Sequence, residues 1–114
     1  MNHAVHTFGD ATSVKERYGS ENAVVRPEKL MDVLCYNASG AELYLQVHEI
    51  TPGTAAAPAD GSVPKFSFPV QNDQGGTLGR AADMQGIYCC WSSTALTKTI
   101  VLANSGSINI IVKA

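Results

Sequence analysis

The run Glu42-Leu43-Tyr44-Leu45-Gln46-Val47-His48 alternates apolar and polar positions, setting Leu43, Leu45 and Val47 on one face of a strand and Glu42, Gln46 and His48 on the other. A period of two is the mark of a half-buried sheet, and it returns along the chain. Lys65 to Val70 places Phe66, Phe68 and Val70 on one side. Gly86 to Trp91 places Ile87, Cys89 and Trp91 on one side and Tyr88 and Cys90 on the other, and reads as a central strand. Asn22 to Arg26 is a short extended run stopped by Pro27, which lacks the ladder N–H. Leu30 to Tyr36 is apolar on both faces, and Asn37-Ala38-Ser39-Gly40 supplies turn chemistry, so this strand and Ala41 to Ile50 are predicted to form a hairpin. Thr97 to Ala103 and Ser107 to Val112 are predicted as a final pair joined at Asn104-Ser105-Gly106.

Helical periodicity is not sustained anywhere, although Thr12 to Tyr18 is compatible with one short helix behind Thr12 or Ser13 as N-cap. The expected architecture is therefore all-β: an antiparallel β-sandwich or jelly roll of roughly seven to eight strands. Its core is expected from Leu43, Leu45, Val47, Phe66, Phe68, Ile87 and Trp91. His48, out of phase with that core, is expected at solvent or an interface.

Residues 1–20 show no sustained period; small and polar residues surround Val5, Phe8, Val14 and Tyr18. They read as an extended N-terminal arm preceding a domain over residues 21–114. The arm lies either along a neighbouring molecule, with those four residues as its contacts, or against the protein's own sheet. From Thr51 to Pro64, prolines and glycines among small residues exclude helix and central strand alike. Long loops of this kind often form interfaces, which makes Pro52, Pro58, Asp60, Val63 and Pro64 candidate contacts.

Composition narrows the possibilities. A chain of 114 residues holds one core. Its 16% charged residues fall below the roughly 25% usual for soluble domains, which points to a surface partly covered by neighbours. A net charge of -2 with scattered Lys and Arg gives no basic field for a phosphate backbone, so no nucleic-acid partner is expected. No apolar stretch approaches the roughly 20 residues of a membrane span, and Met1-Asn2-His3-Ala4 does not open a secretory signal, so folding in the cytoplasm is expected. Cys35, Cys89 and Cys90 are odd in number and two are adjacent, which suits buried thiols better than a disulfide framework.

Candidate chemistry is sparse. His3 and His6, with His48-Glu49, have ligand atoms but no defined metal spacing, so no metal site is expected. Ser92-Ser93-Thr94 lacks a nucleophile elbow and a nearby histidine. Gln74 to Arg80 has glycines but neither the Lys-Ser/Thr of a phosphate loop nor a following helix. Asn72-Asp73-Gln74 reads as a surface turn before it reads as a calcium loop, and the sequon Asn37-Ala38-Ser39 carries little weight without a secretory signal. Trp91, Tyr88, Tyr44 and Tyr36 fit a core more readily than a sugar platform. Neither catalytic residues nor a cofactor are expected.

The order Tyr36-Asn37, Leu43-Tyr44-Leu45-Gln46-Val47-His48, Ala57-Pro58-Ala59-Asp60-Gly61-Ser62-Val63-Pro64, Gly86-Ile87-Tyr88 and Ser92-Ser93-Thr94 resembles a group of small tailed-bacteriophage virion proteins. The resemblance spans about Leu30 to Thr99. It implies a particle-associated, non-enzymatic β domain, with a capsid decoration or cement protein as the first expectation. Such a protein would assemble into the virion in the host cytoplasm, contact the major capsid protein or other virion proteins, and self-associate, with a trimer as the expected form. The alternative expectation is a carbohydrate-binding or neck- or tail-associated sandwich module of the particle.

Overall fold

Leu43, Leu45 and Val47 of the alternating run are buried at 5%, 0% and 0% exposure, and the strand they belong to lies inside a two-sheet sandwich. The computed structural model describes residues 3–6, 13–17, 21–24, 27–51, 57–101 and 106–113. Its strands are β1 (His3–His6), β2 (Ser13–Arg17), β3 (Glu21–Val24), β4 (Glu28–Asn37), β5 (Leu43–Glu49), β6 (Phe66–Val70), β7 (Gln74–Thr77), β8 (Ala82–Met84), β9 (Ile87–Ser92) and β10 (Gly106–Lys113). The first sheet runs β1-β10-β4-β7, with β8 also on β4, and the second runs β2-β3-β9-β5-β6. Every pairing is antiparallel. Residues 21–113 carry eight of these strands, within the roughly seven to eight expected from the sequence.

Between the sheets lies one core. Leu30, Val33, Cys35, Ile108, Ile110 and Val112 from the first sheet meet Val24, Leu43, Leu45, Val47, Val70, Ile87, Cys89 and Trp91 from the second. The strand predicted as central is so: β9 lies between β3 and β5, and all six of its residues are buried. Phe66 and Phe68 depart from expectation in degree. They sit on the edge strand β6, half-buried against the core, and the Arg80 guanidinium lies 4.9 Å from the Phe66 ring centroid. Pro69 is tolerated in β6 because an edge strand has one side without a ladder.

The predicted hairpin does not form. β4 pairs with β10, β7 and β8, and β5 pairs with β6 and β9, so residues 37–42 carry the chain from one sheet to the other. The cause is Asn37, which is fully buried. Its amide nitrogen donates to Ala41 O and Val70 O, both at 2.8 Å, while its Oδ1 accepts from Ser39 N at 2.9 Å. An Asx turn that also reaches across to β6 steers the strand ends into opposite layers. The apolar sets of β4 and β5 then face each other through the core instead of lying side by side.

A second crossing, from β6 to β7, is stacked on the first. Asp73, at φ 59°, donates its N–H to Asn37 O at 2.7 Å, and Gly40 N donates to Asn72 Oδ1 at 2.7 Å. Asn72-Asp73-Gln74 is thus an interlocked turn. Gly76 in β7 lets this end close, since a Cβ there would stand 2.9 Å from Val70 Cγ2 and 3.2 Å from Phe68 Cε2.

Two further expectations are corrected. The last strand pairs with β1 and β4, and residues 97–101 contribute a single bridge, Ile100 to Ser92. The side chains of Gln46 and Ser92 both bond the Thr97 carbonyl, tying this segment to the outer face of the second sheet. Ser13–Arg17 is a strand and not a helix: a segment this short gains little from helical hydrogen bonds, and the edge of β3 offers it a ladder. The first twenty residues thus place one strand on the edge of each sheet.

Candidate functional surfaces

The outer faces of the two sheets differ, and the difference organises every candidate. On the second sheet, Gln46 and His48 of β5, Tyr88, Cys90 and Ser92 of β9, and Glu21 and Ala23 of β3 turn away from the core, yet all are buried. They lie under residues 93–101 and the adjoining part of the 57–64 loop, with Ile50 and Ile100 completing a second small apolar cluster. His48, expected outside, is 2% exposed.

Hydrogen bonds from the sheet hold this cover down. The Gln46 amide nitrogen donates to Thr94 O at 2.9 Å and Thr97 O at 3.0 Å, and its Oε1 accepts from His48 Nε2 at 3.0 Å, which fixes the proton on that ring nitrogen. Ser92 Oγ donates to Thr94 O at 2.9 Å and accepts from Thr99 N at 3.0 Å. Lys98, only 4% exposed, donates from Nζ to Pro58 O and sits 5.2 Å from the Tyr88 ring centroid. The Tyr88 hydroxyl donates to Glu21 Oε2, and the His48 ring meets Tyr88 edge-on at 6.2 Å. Around Lys98 the two covering segments join, through Gly61 N to Lys98 O and Lys98 N to Ser62 O, both 2.8 Å.

Burial, then the Lys98 charge, pulls the His48 pKa down to about 4. Burial pushes the Cys90 thiol up to about 12 and raises Tyr88 further, with its bond to Glu21 adding to the rise. A general acid or base works best with a pKa near the operating pH. These groups instead rest in their neutral forms at neutral pH, as a polar lining that binds the cover.

Among the described residues, no such cover lies over β4 on the outer face of the first sheet. Leu34 and Tyr36 are exposed at 44% and 43%. Tyr36 stands between Ser107 of β10 and Gly75 of β7, and Leu34 between Asn109 and Thr77. Asp32 closes the row, its carboxylate accepting from Thr77 Oγ1 at 2.9 Å and Gly79 N at 2.8 Å.

Of the residues singled out in the sequence, Val5 lies in β1 opposite Ile111, and Val14 lies in β2 at the register shift between Ser13 and Lys15. Phe8, Tyr18 and Pro52 lie outside the described residues. Pro58 is half-buried beneath Lys98, Asp60 is exposed and accepts from Ile100 N at 3.4 Å, and Pro64 is half-buried. Val63 projects at 77% exposure, as does Leu96 of the cover at 82%. Of the four aromatics weighed as a platform, Trp91 and Tyr88 are fully buried and Tyr44 is half-buried, which leaves Tyr36 as the exposed ring. Among the described residues, no group of three or more His, Cys, Asp or Glu is placed to hold a metal ion, and no helix is long and apolar enough to cross a membrane.

No family model, curated protein or solved structure matches this chain.

Sequence reasoning missed the covered network. Gln46 and His48 occupy the outward phase of β5, as they would in any half-exposed strand. The one signal of a lid was the hydroxyl-rich stretch from Ser92 to Thr99, whose short side chains bond backbone readily.

Proposed function

We propose that this chain is a non-enzymatic structural protein of a tailed-bacteriophage particle, a decoration or cement protein of the capsid that binds across junctions between shell subunits. The observation that carries the reading is the pair of exposed apolar side chains, Val63 and Leu96, on two segments clamped together around Lys98. A tip anchored by buried bonds loses little conformational freedom on docking, so more of its contact energy is kept as affinity. The low charge content and the resemblance carried by residues 30–99 support the same reading. Self-association as a trimer would set three such tips around one junction. Binding only the assembled lattice stabilises the shell by mass action, with no bond made or broken.

The test is to add the purified protein to expanded heads that lack it. Stoichiometric binding and a higher shell melting temperature are expected, and the double variant Val63→Asp/Leu96→Asp should keep its own fold while losing attachment. Wild-type protein that leaves the shells undecorated, or decorates them without raising their melting temperature, refutes the reading.

A further inference from the structure

The bare face of the first sheet is built differently from the apolar tips. Val33 and Cys35 point to the core, so Leu34 and Tyr36 point out, in the strand flanked by β10 and β7. The neighbours of Tyr36 across the ladder are small, Gly75 on one side and Ser107 on the other, so neither ladder partner raises a tall side chain beside its ring. One step along, Leu34 is flanked by the amide of Asn109 and the hydroxyl of Thr77. Thr77 is committed to Asp32. Among the described residues, the side chains of Tyr36, Ser107 and Asn109 have no intramolecular hydrogen bond.

We propose that this face binds a neutral oligosaccharide, stacked on Tyr36 and Leu34, with Ser107 and Asn109 bonding its hydroxyls. Charge favours a neutral ligand: among the described residues, the Asp32 carboxylate beside Leu34 is already satisfied by Thr77 Oγ1, Gly79 N and Val33 N, and none of the ladder neighbours of Tyr36 and Leu34 is a cation that would hold a phosphate or uronate. Area favours a sugar over a second copy of the chain. Three strands about 4.8 Å apart, over the five residues from Asp32 to Tyr36 at about 3.3 Å each, offer roughly 200 Å². A stable protein interface needs about 800 Å² per partner. Two or three pyranose rings fit the smaller figure, and amphipathic sugar faces stack on exposed aromatic rings flanked by uncharged hydrogen-bonding groups.

The experiment is a titration of the ¹⁵N-labelled full chain with neutral malto-, cello-, chito- and galacto-oligosaccharides, and with oligogalacturonate as the charged control. At least one neutral series should move the amide signals of Leu34, Tyr36, Ser107 and Asn109 in a saturable way, and the charged control should not. Tyr36→Ala should weaken that binding by about tenfold or more. Gly75→Val should weaken it too, by raising a side chain beside the ring. The backbone there has room, because a Cβ on Gly75 meets only Cys35 O at 3.4 Å, and thermal unfolding of both variants confirms their fold. Three results overturn the proposal: no response to any neutral series, a response confined to other surfaces, or a concentration-dependent dimer that Tyr36→Ala dissolves. Shell attachment through Val63 and Leu96 is read separately, so either idea can fail while the other stands.

Discussion

Asn37→Ala removes the side chain that carries the chain from the first sheet to the second. Three hydrogen bonds go with it: two from its amide to Ala41 O and Val70 O, and one from Ser39 N to its carbonyl. Ala41 and Ser39 are near enough to water to recover part of the loss, whereas Val70 is 3% exposed and its carbonyl is left facing an apolar gap. A buried acceptor left unpaired costs about 1–3 kcal/mol and each solvent-replaced bond a fraction of that, so the variant should lose about 2–4 kcal/mol. Asn37→Asp keeps the shape and the acceptor for Ser39 N, but sets a carboxylate oxygen against two carbonyl oxygens. It should be worse than alanine at pH 7. Its folded-state pKa is raised above the unfolded value of about 3.9, so the extra penalty is present at high pH and relieved as pH falls through the folded value. Urea unfolding followed by fluorescence is a direct assay, because Trp91 is the one tryptophan and is fully buried. The comparison is the difference between variant and wild type at each pH, which cancels the response of other groups. A loss below about 0.5 kcal/mol for Asn37→Ala, the level of an ordinary surface change, or an aspartate penalty that stays flat from pH 7 to 4, would refute this account of the crossing.

Other expectations follow from burial. His48 titrates near 6.5 when unfolded and near 4 when folded, so the unfolded chain binds the extra proton; stability should be complete above pH 6.5 and fall as pH drops toward 4. His48→Gln should flatten that slope in a series of urea midpoints. Leu45→Ala, at a fully buried site, should cost about 3 kcal/mol by denaturant unfolding, while Leu34→Ser on the bare face should stay within about 0.5 kcal/mol; similar losses would mean the two faces of the strands are misassigned. Burial pushes the Cys35 and Cys90 thiols up to about 12 and holds Cys89 well above its usual value, so a thiol-titrating disulfide reagent should find all three unreactive in the native protein and reactive after denaturation. Rapid labelling of folded protein would contradict that burial.

What the sequence disclosed follows from how local each determinant is. Alternation is a property of five or six consecutive residues, so the inward set Leu43, Leu45, Val47, Ile87 and Trp91 was legible, as was the loop character of residues 57–64. Pairing was harder. Asn37-Ala38-Ser39-Gly40 has the chemistry of a hairpin turn, but its Asn37 also reaches Val70, 33 residues on, and that long-range bond decides which layer the next strand enters. The outward faces were legible least of all. Leu34 and Tyr36 on one sheet, and Gln46 and His48 on the other, hold equivalent phases in their strands. The fold of residues 93–101, joined by the 57–64 loop, over one of the two sheets separates an exposed tyrosine from a histidine at 2% exposure.

Gly106, where β10 enters the first sheet, sits at φ +112° with its backbone against the Tyr36 carbonyl, so that any Cβ built there would run into that oxygen. It acts as a register lock. Sliding β10 by one residue would bring Ser105 or Ser107 to a spot where no side chain fits, and would turn Ile108, Ile110 and Val112 out to water while Asn109 went inward. The rejection of that slipped pairing therefore rests on a missing methyl group as much as on the isoleucines themselves, and alanine at this one position should shift the strand or unfold it where alanine elsewhere on the surface would pass unnoticed.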